Sequence, residues 1–297
     1  MSESFLLLDG YEALGTTWYL EVFEELLEEK KEIIRSEITM LLTSFGAQYS
    51  RFKKDSLLNE LNTKRSISYD EHLAKMLTLG EEAYIQSDGN FNLFVKDALE
   101  QKGYGEKNDT GLAQENENTL PSKENKRVVI TQDTITLLGN LSVDLDGIGK
   151  EYLLDHIASL LKNTYQVEQF LLNGGGDMYA THFSGAGIEV YMQHPEKSDE
   201  VIGSLILKNQ AFCSSSSFVR SWSYGDSKRN HFVTHNGEEV WAASFVVGST
   251  TTSAGVVATT ACIVSLDVEM CEKLSTLYSV TYAVYREGAI FGNLLYT

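Results

Sequence analysis

Apolar positions recur along this chain with two different periods, and the period switches from one segment to the next. Across residues 14–23, β-branched and aromatic residues alternate with polar ones, the two-residue period of a strand with one buried face. Leu27, Ile34, Ile38, Leu41, Leu42 and Phe45 then fall at helical spacing with Glu and Lys on the other side. They predict an amphipathic helix, with Glu24-Glu25 and Glu28-Glu29 as its solvated N-terminal turn. Leu73, Met76, Leu77 and Tyr84 predict a second helix, for which Ser68 and Glu71 have the spacing of a capping box. Short apolar runs at 128–130 and 135–138 predict strands. Leu153, Ile157, Leu160 and Leu161 give a helix beginning near Lys150 one apolar face, with Lys150 and Asp155 off it. A buried strand at 169–172 follows and breaks at Asn173-Gly174-Gly175-Gly176-Asp177. Strands at 187–192 and 201–207, a small-residue helix at 252–264 and a closing strand at 279–285 complete the pattern. Helices and strands thus mix along one chain.

Composition changes this picture at one place. Residues 104–126 turn to Glu, Asn, Lys, Gly and Ser with Pro121, a solvated loop. Apolar strands resume directly after it, so it is expected to be an insertion within a single domain spanning residues 1–297. Lys+Arg 24 against Asp+Glu 42 leave a net charge of −18, a field that repels nucleic acid and anionic membrane surfaces. No apolar run approaches the roughly 20 residues of a spanning helix. Phe5-Leu6-Leu7-Leu8 lacks the basic flank and cleavage site of a signal peptide, so a cytoplasmic protein is expected. Cys213, Cys262 and Cys271 are odd in number and lack C-x-x-C spacing, which points to buried free thiols.

An anionic ligand would have to be held by local donors, a metal ion or a few cations. Two glycine-bearing turns, Gly147-Ile148-Gly149 and Gly174-Gly175-Gly176, bracket the central helix. Glycine admits positive φ and lets backbone N–H groups face an anion. The stretch DLDGIGKEYLLD resembles D-L-G-G-I-A-K-G-Y-A-V-D, and LNGGGDM resembles N-A-G-G-D-I, of the ApbE-type FAD:protein FMN transferases. Gly15-Thr16-Thr17 resembles the family's M-G-T-T strand, and residues 49–62 its F-S-x-Y-x-x-D-S-E-L-S-x-x-N segment. Residues 212–220 fall where the family has I-S-T-S-G-D-Y-x-R, and His231 to Gly237 where it has H-I-x-D-P-x-T-G. Residues 252–264 resemble its A-D-A-L-A-T-A-L-F-V-L helix.

This resemblance implies an α+β, ApbE-like, two-lobed flavin transferase fold with antiparallel sheets, helices and a central FAD cleft. It implies transfer of FMN from FAD to a Thr or Ser hydroxyl of an acceptor protein, with AMP released and Mg²⁺ assisting. By the same resemblance, Lys150 neutralises phosphate charge and His231 stands near the reacting phosphate. Phe52 lies against the isoalloxazine ring, and Asp155, Gly174, Gly175, Gly176, Asp177 and Ser215 surround FAD. Gly149, Thr259 and position 255 belong to the metal. The chain departs from the pattern where Ser216, Ser217, Thr234 and His235 replace family residues, and most directly at Gly255, where the family has Asp. A glycine offers a cation nothing, so the alternative expectation is a flavin-binding protein of the same fold that is inactive or weakly active. Asp146 and Asp177 are the nearest substitute carboxylates in sequence, and Gly255→Asp is expected to tighten metal binding.

Overall fold

The chain opens with a hairpin. The apolar patch at Phe5 lies in β1 (Phe5–Ala13), which pairs antiparallel with β2 (Thr16–Val22) through a turn where Leu14 and Gly15 both take positive φ. In this computed structural model the described residues are 4–104, 127–182, 186–224 and 227–296. The expected polar insertion therefore lies, from residue 105 onward, outside them.

Helix α1 (Glu28–Tyr49) buries Ile34, Ile38, Leu42 and Phe45 of the face its spacing predicts, together with Tyr49, whereas Leu27 lies exposed just before it. The Ser56 hydroxyl accepts from the Asn59 N–H and caps α2 (Leu57–Lys64). Ser68 does not cap the next helix, because it lies in β3 (Ser66–Ser68). The Asp70 carboxylate accepts from the Leu73 N–H at 2.8 Å instead and starts α3 (Glu71–Gln86). After α4 (Lys96–Gln101), β4 (Val128–Ile130) and β5 (Thr134–Leu137) join β3 in a small antiparallel sheet. Helix α5 (Gly149–Ser159) ends in a π-helical turn at Leu160–Thr164 and leads to β6 (Phe170–Gly174) and β7 (Asp177–Thr181).

Then come a hairpin of β8 (Ile188–Gln193) and β9 (Val201–Leu207), β10 (Gln210–Ser216), and a second hairpin of β11 (Ser221–Tyr224) and β12 (Ser227–Asn230). The serine run, which composition alone reads as a loop, thus belongs partly to a strand. The chain closes with β13 (Ala243–Gly248), α6 (Thr251–Ile263), α7 (Val268–Tyr278), β14 (Thr281–Arg286) and β15 (Ala289–Gly292).

Eight strands form one antiparallel sheet in the order β1-β2-β6-β7-β10-β13-β14-β15. Its two faces carry different cores, as the two-residue period of a strand requires. Ala211, Cys213, Val246 and Val284 face a large cluster built with the helices. Their neighbours Phe212, Phe245, Val247 and Tyr285 face the other way, onto Val190, Met192, Leu205 and Leu207 of the β8-β9 hairpin. Covered on both sides, β13 is buried along its whole length, and only Ser244, whose hydroxyl donates to the Ala258 carbonyl, interrupts its apolar run. The three cysteines are buried and free. Among the described residues no helix is long and apolar enough to cross a membrane.

Candidate active site

The start of α5, the start of β7, the end of β10 and one face of α6 meet at a single cleft. Lys150, the second residue of α5, sends its ammonium between two carboxylates. It lies 3.0 Å from Glu151 Oε1 and bonds the Asp177 carboxylate at the start of β7. Asp177 Oδ1 also accepts from the Ser214 N–H of β10 at 2.9 Å. Burial disfavours the ammonium, but Asp177 and Glu151 outweigh it and hold Lys150 above the ordinary lysine range. Burial likewise pushes the Asp177 carboxyl up to about 7, against the pull of Lys150. For Glu151 burial is outweighed by Lys150, and its carboxyl stays below the usual value.

This charged cluster joins two cavities. A larger one, about 810 Å³, runs past Tyr11, Phe45, Phe52 and Gly149. A smaller one, about 250 Å³, is walled by Asn90 to Leu93 on one side and by Ser214 to Ser216, Gly255 and Thr259 on the other. Tyr104, Asp146, Lys150 and Arg220 line both. The volumes are those of small-molecule sites.

Most residues expected at the site border this cleft. Phe52 stands on the rim of the larger cavity, 46% exposed, with the Arg51 guanidinium 4.2 Å from its ring centre. That exposure excludes a core role for it. Gly149 borders the larger cavity, and Gly175, Asp177, Ser215, His231, Gly255 and Thr259 the smaller.

Asp155 borders neither. Its Oδ1 accepts from the N–H and hydroxyl of Thr251 at 2.7 Å each, and its Oδ2 from the Thr252 N–H at 2.8 Å. Asp155 therefore satisfies the exposed donors at the start of α6. The glycine turn also works differently from expectation. Gly174 is the last residue of β6, packed on the Trp18 ring, and Gly175-Gly176 form a two-residue hairpin turn with φ of +65° and +96°. The Gly175 N–H donates to Thr17 O and the Gly176 N–H to Asn173 Oδ1, so neither points at a ligand.

His231 is held 3.3 Å through Nδ1 from the Arg220 carbonyl and lies against Phe232. A carbonyl only accepts, so Nδ1 carries the proton in this bond and Nε2 keeps its lone pair. Burial, reinforced by the Arg220 charge, lowers the His231 pKa to about 4.

Among the cleft residues absent from the expected set, three bear charge or a phenol near the junction of the cavities. Tyr104 and Arg220, hydrogen-bonded to each other at 3.3 Å, come from irregular segments without periodicity. The third is Glu151. A Cβ placed on Gly255 would stand 2.4 Å from Glu151 Cγ and 3.2 Å from its Cδ. The space a side chain at 255 would take is already filled by a carboxylate from α5. Two signals were available: the family stretch has glycine where this chain has Glu151, and Arg220 falls on the arginine that ends I-S-T-S-G-D-Y-x-R.

Among the described residues no cluster of three or more His, Cys, Asp or Glu side chains is placed to hold a metal ion. The donor set nonetheless fits Mg²⁺ in the way this ion is usually bound, through one or two carboxylates with the rest left to substrate phosphates and water. Glu151 Oε2 is buried without a hydrogen-bond partner among the described residues, and Thr259 borders the same cavity.

A mixed α+β fold with an antiparallel sheet and a cleft built around a buried lysine defines a class shared with known proteins. The ApbE family model matches residues 14–278, and the chain belongs to that family. Over 235 residues it is 24% identical to the FAD:protein FMN transferase of Escherichia coli K12, a match covering 75% of this chain and 66% of that protein. The corresponding protein of Klebsiella pneumoniae matches to the same extent. The ApbE protein of Thermotoga maritima shares the fold at a TM-score of 0.81 and 18% identity, over 98% of this chain and 97% of that one. The flavin transferase ApbE of Vibrio cholerae does so at 0.73 and 15%, over 99% and 97%.

Proposed function

We propose that this chain is an FAD:protein FMN transferase, which moves FMN from FAD to a Thr or Ser hydroxyl of an acceptor protein and releases AMP. The observation that carries this reading is the pair of cavities joined at Lys150 and Arg220. A dinucleotide has two ring systems linked by an anionic pyrophosphate, and this cleft offers two chambers with two cations at their junction. The flavin ring lies in the larger chamber beside Phe52, and adenosine in the smaller.

The acceptor's hydroxyl oxygen attacks the flavin-side phosphorus and its proton passes to His231 Nε2. The bond from that phosphorus to the bridging oxygen breaks, and AMP leaves with that oxygen. The imidazole enters neutral with its lone pair free, and with a pKa of about 4 it is a weaker base than one tuned to the working pH. Arg220 and Lys150 fix the pyrophosphate, and positioning of this kind provides much of the catalysis in phosphoryl transfer. Mg²⁺, when bound, neutralises charge on the pyrophosphate.

The alternative, an inactive or weakly active flavin-binding protein, is favoured by the changes at Gly255, Thr234 and His235, and Glu151 lying against Gly255 weakens the first of these supports. The test is incubation of the protein with FAD, Mg²⁺ and cell extract, followed by AMP chromatography and in-gel flavin fluorescence. AMP release together with a covalently fluorescent band supports the transferase, whereas tight FAD binding with neither product overturns it.

A further inference from the structure

Helices α5 and α6 pack against each other where Glu151 covers Gly255, and the residue types at these two places are the reverse of the pattern the chain otherwise resembles. That pattern has glycine at 151 and aspartate at 255, and this chain has Glu151 and Gly255. The contact explains why both change together. With Glu151 Cγ only 2.4 Å from a Cβ at 255, any side chain there would collide with Glu151, so glycine is the residue that leaves room for it.

Glu151 is not an ordinary partner of Lys150. Its Oε1 meets the ammonium at 3.0 Å, but its Oε2 has no hydrogen-bond partner among the described residues and its side chain is only 9% exposed. A buried carboxylate oxygen without a donor is costly. Lys150 is moreover shared with Asp177, whose carboxyl lies within hydrogen-bonding reach of Glu151, so two carboxyl groups crowd one ammonium. Glu151 borders the smaller cavity together with Thr259, which lies one helical turn beyond Gly255 on the same face of α6. An oxygen anion, a hydroxyl and open space facing a pyrophosphate are what a hard divalent cation requires.

We propose that Glu151 is the carboxylate ligand of the divalent cation in this cleft, delivered from α5 into the place that α6 leaves open at Gly255. Thr259 contributes its hydroxyl, and the substrate's phosphate oxygens and water complete the shell. The proposal rests on the reading that the cleft takes a pyrophosphate substrate, and its consequence is that Gly255 marks a relocated ligand rather than a lost one. It also reverses the expectation for Gly255→Asp. Alone, that substitution drives its side chain into Glu151 and gains no metal affinity.

The test is Mn²⁺ binding followed by electron paramagnetic resonance, with and without FAD. It is made on the parent protein, Glu151→Gln, Gly255→Asp and the double exchange Glu151→Gly with Gly255→Asp, each checked for folding by circular dichroism. Metal-free FAD binding is read separately from flavin fluorescence. Glu151→Gln is expected to weaken Mn²⁺ binding at least tenfold, and by far more than it changes metal-free FAD binding. Gly255→Asp alone should not tighten Mn²⁺, and the double exchange should restore it to within a few fold of the parent. Unchanged Mn²⁺ affinity in Glu151→Gln overturns the proposal, as does a parent that binds no Mn²⁺ with or without FAD. If Glu151→Gln fails to fold, the double exchange decides, and its failure to hold Mn²⁺ overturns the proposal. A parent that binds Mn²⁺ through Glu151 but not FAD would sustain the ligand assignment and defeat the transferase reading.

Discussion

The Thr16 hydroxyl lies so close to Gly175 that a Cβ added there would stand 2.1 Å from its oxygen. Gly175 also holds a φ of +65°, which costs a non-glycine residue roughly 1–2 kcal/mol before any contact is counted. Gly175→Val should therefore destabilise the whole sheet by about 2–4 kcal/mol, strain and overpacking together, rather than remove a phosphate donor. Thermal melting checks this. Pairing the change with Thr16→Gly should recover part of the loss, and a Gly175→Val protein that melts like the parent yet binds no FAD would contradict it.

Phe52 behaves differently because it is half out of the core. Phe52→Ala removes a ring on the rim of the larger cavity, so the melting temperature should barely move. Flavin affinity should fall severalfold, the equivalent of about 0.5–1.5 kcal/mol of ring stacking. Fluorescence titration with FAD and with riboflavin should show similar losses, since both carry the isoalloxazine. A sharp drop in melting temperature with unchanged affinity would place Phe52 among structural residues.

Asp155 caps α6, and that predicts a third outcome. Replacing it by alanine leaves the N–H groups of Thr251 and Thr252 without their acceptor, while the Thr251 hydroxyl keeps the Glu151 carbonyl at 2.6 Å. Asp155→Ala should lower stability by about 1–2 kcal/mol in urea denaturation, and Asp155→Asn by less because one acceptor oxygen remains. Flavin affinity measured well below the melting transition should stay within about twofold, given that Asp155 borders neither cavity. A large affinity loss in a fully folded variant would return Asp155 to the ligand.

His231 supplies the pH dependence. Its folded pKa is lowered to about 4, whereas in the unfolded chain it titrates near the ordinary value of 6.5. As pH falls below 6.5 the unfolded chain gains a proton that the folded protein refuses, so this group destabilises the fold increasingly between about 6.5 and 4. Above pH 6.5 it has no effect. The parent should lose more stability than His231→Gln between pH 7.5 and about 5, and proton NMR should show one imidazole that stays neutral through pH 6. An imidazole titrating near 6.5 that disappears in His231→Gln would refute the assignment.

The regular elements were legible because burial imposes period. Ile34, Ile38, Leu42 and Phe45 announced α1, and the strands at 128–130 and 201–207 lie where alternation or apolar runs placed them. The first strand was not legible, since Phe5 to Leu8 form a short apolar run without alternation and only pairing with β2 reveals it. At the cleft, matched segments located Lys150, Asp177, Ser215 and His231 beside one another. What they could not reveal was where each group points. The glycine turn was visible in sequence, but the destinations of its N–H groups depend on Thr17 and Asn173. Gly255 was visible as a loss, while the matching gain at Glu151 sits in a different helix and acquires its meaning only when α5 packs on α6.

The pairing of β2 with β6 sets the order in which this protein can acquire its cleft. Trp18 lies opposite Gly174 in that ladder, and its ring covers the glycine backbone, so residues made early in synthesis must wait for residues made much later. Contacts between positions so distant in sequence carry a high closure entropy and slow the search for the native state. Until Phe170 to Gly174 have left the ribosome, the β1-β2 hairpin presents an unpaired edge and a bare indole to its surroundings. Chaperone occupancy of nascent chains should peak in that interval and fall once β6 has emerged.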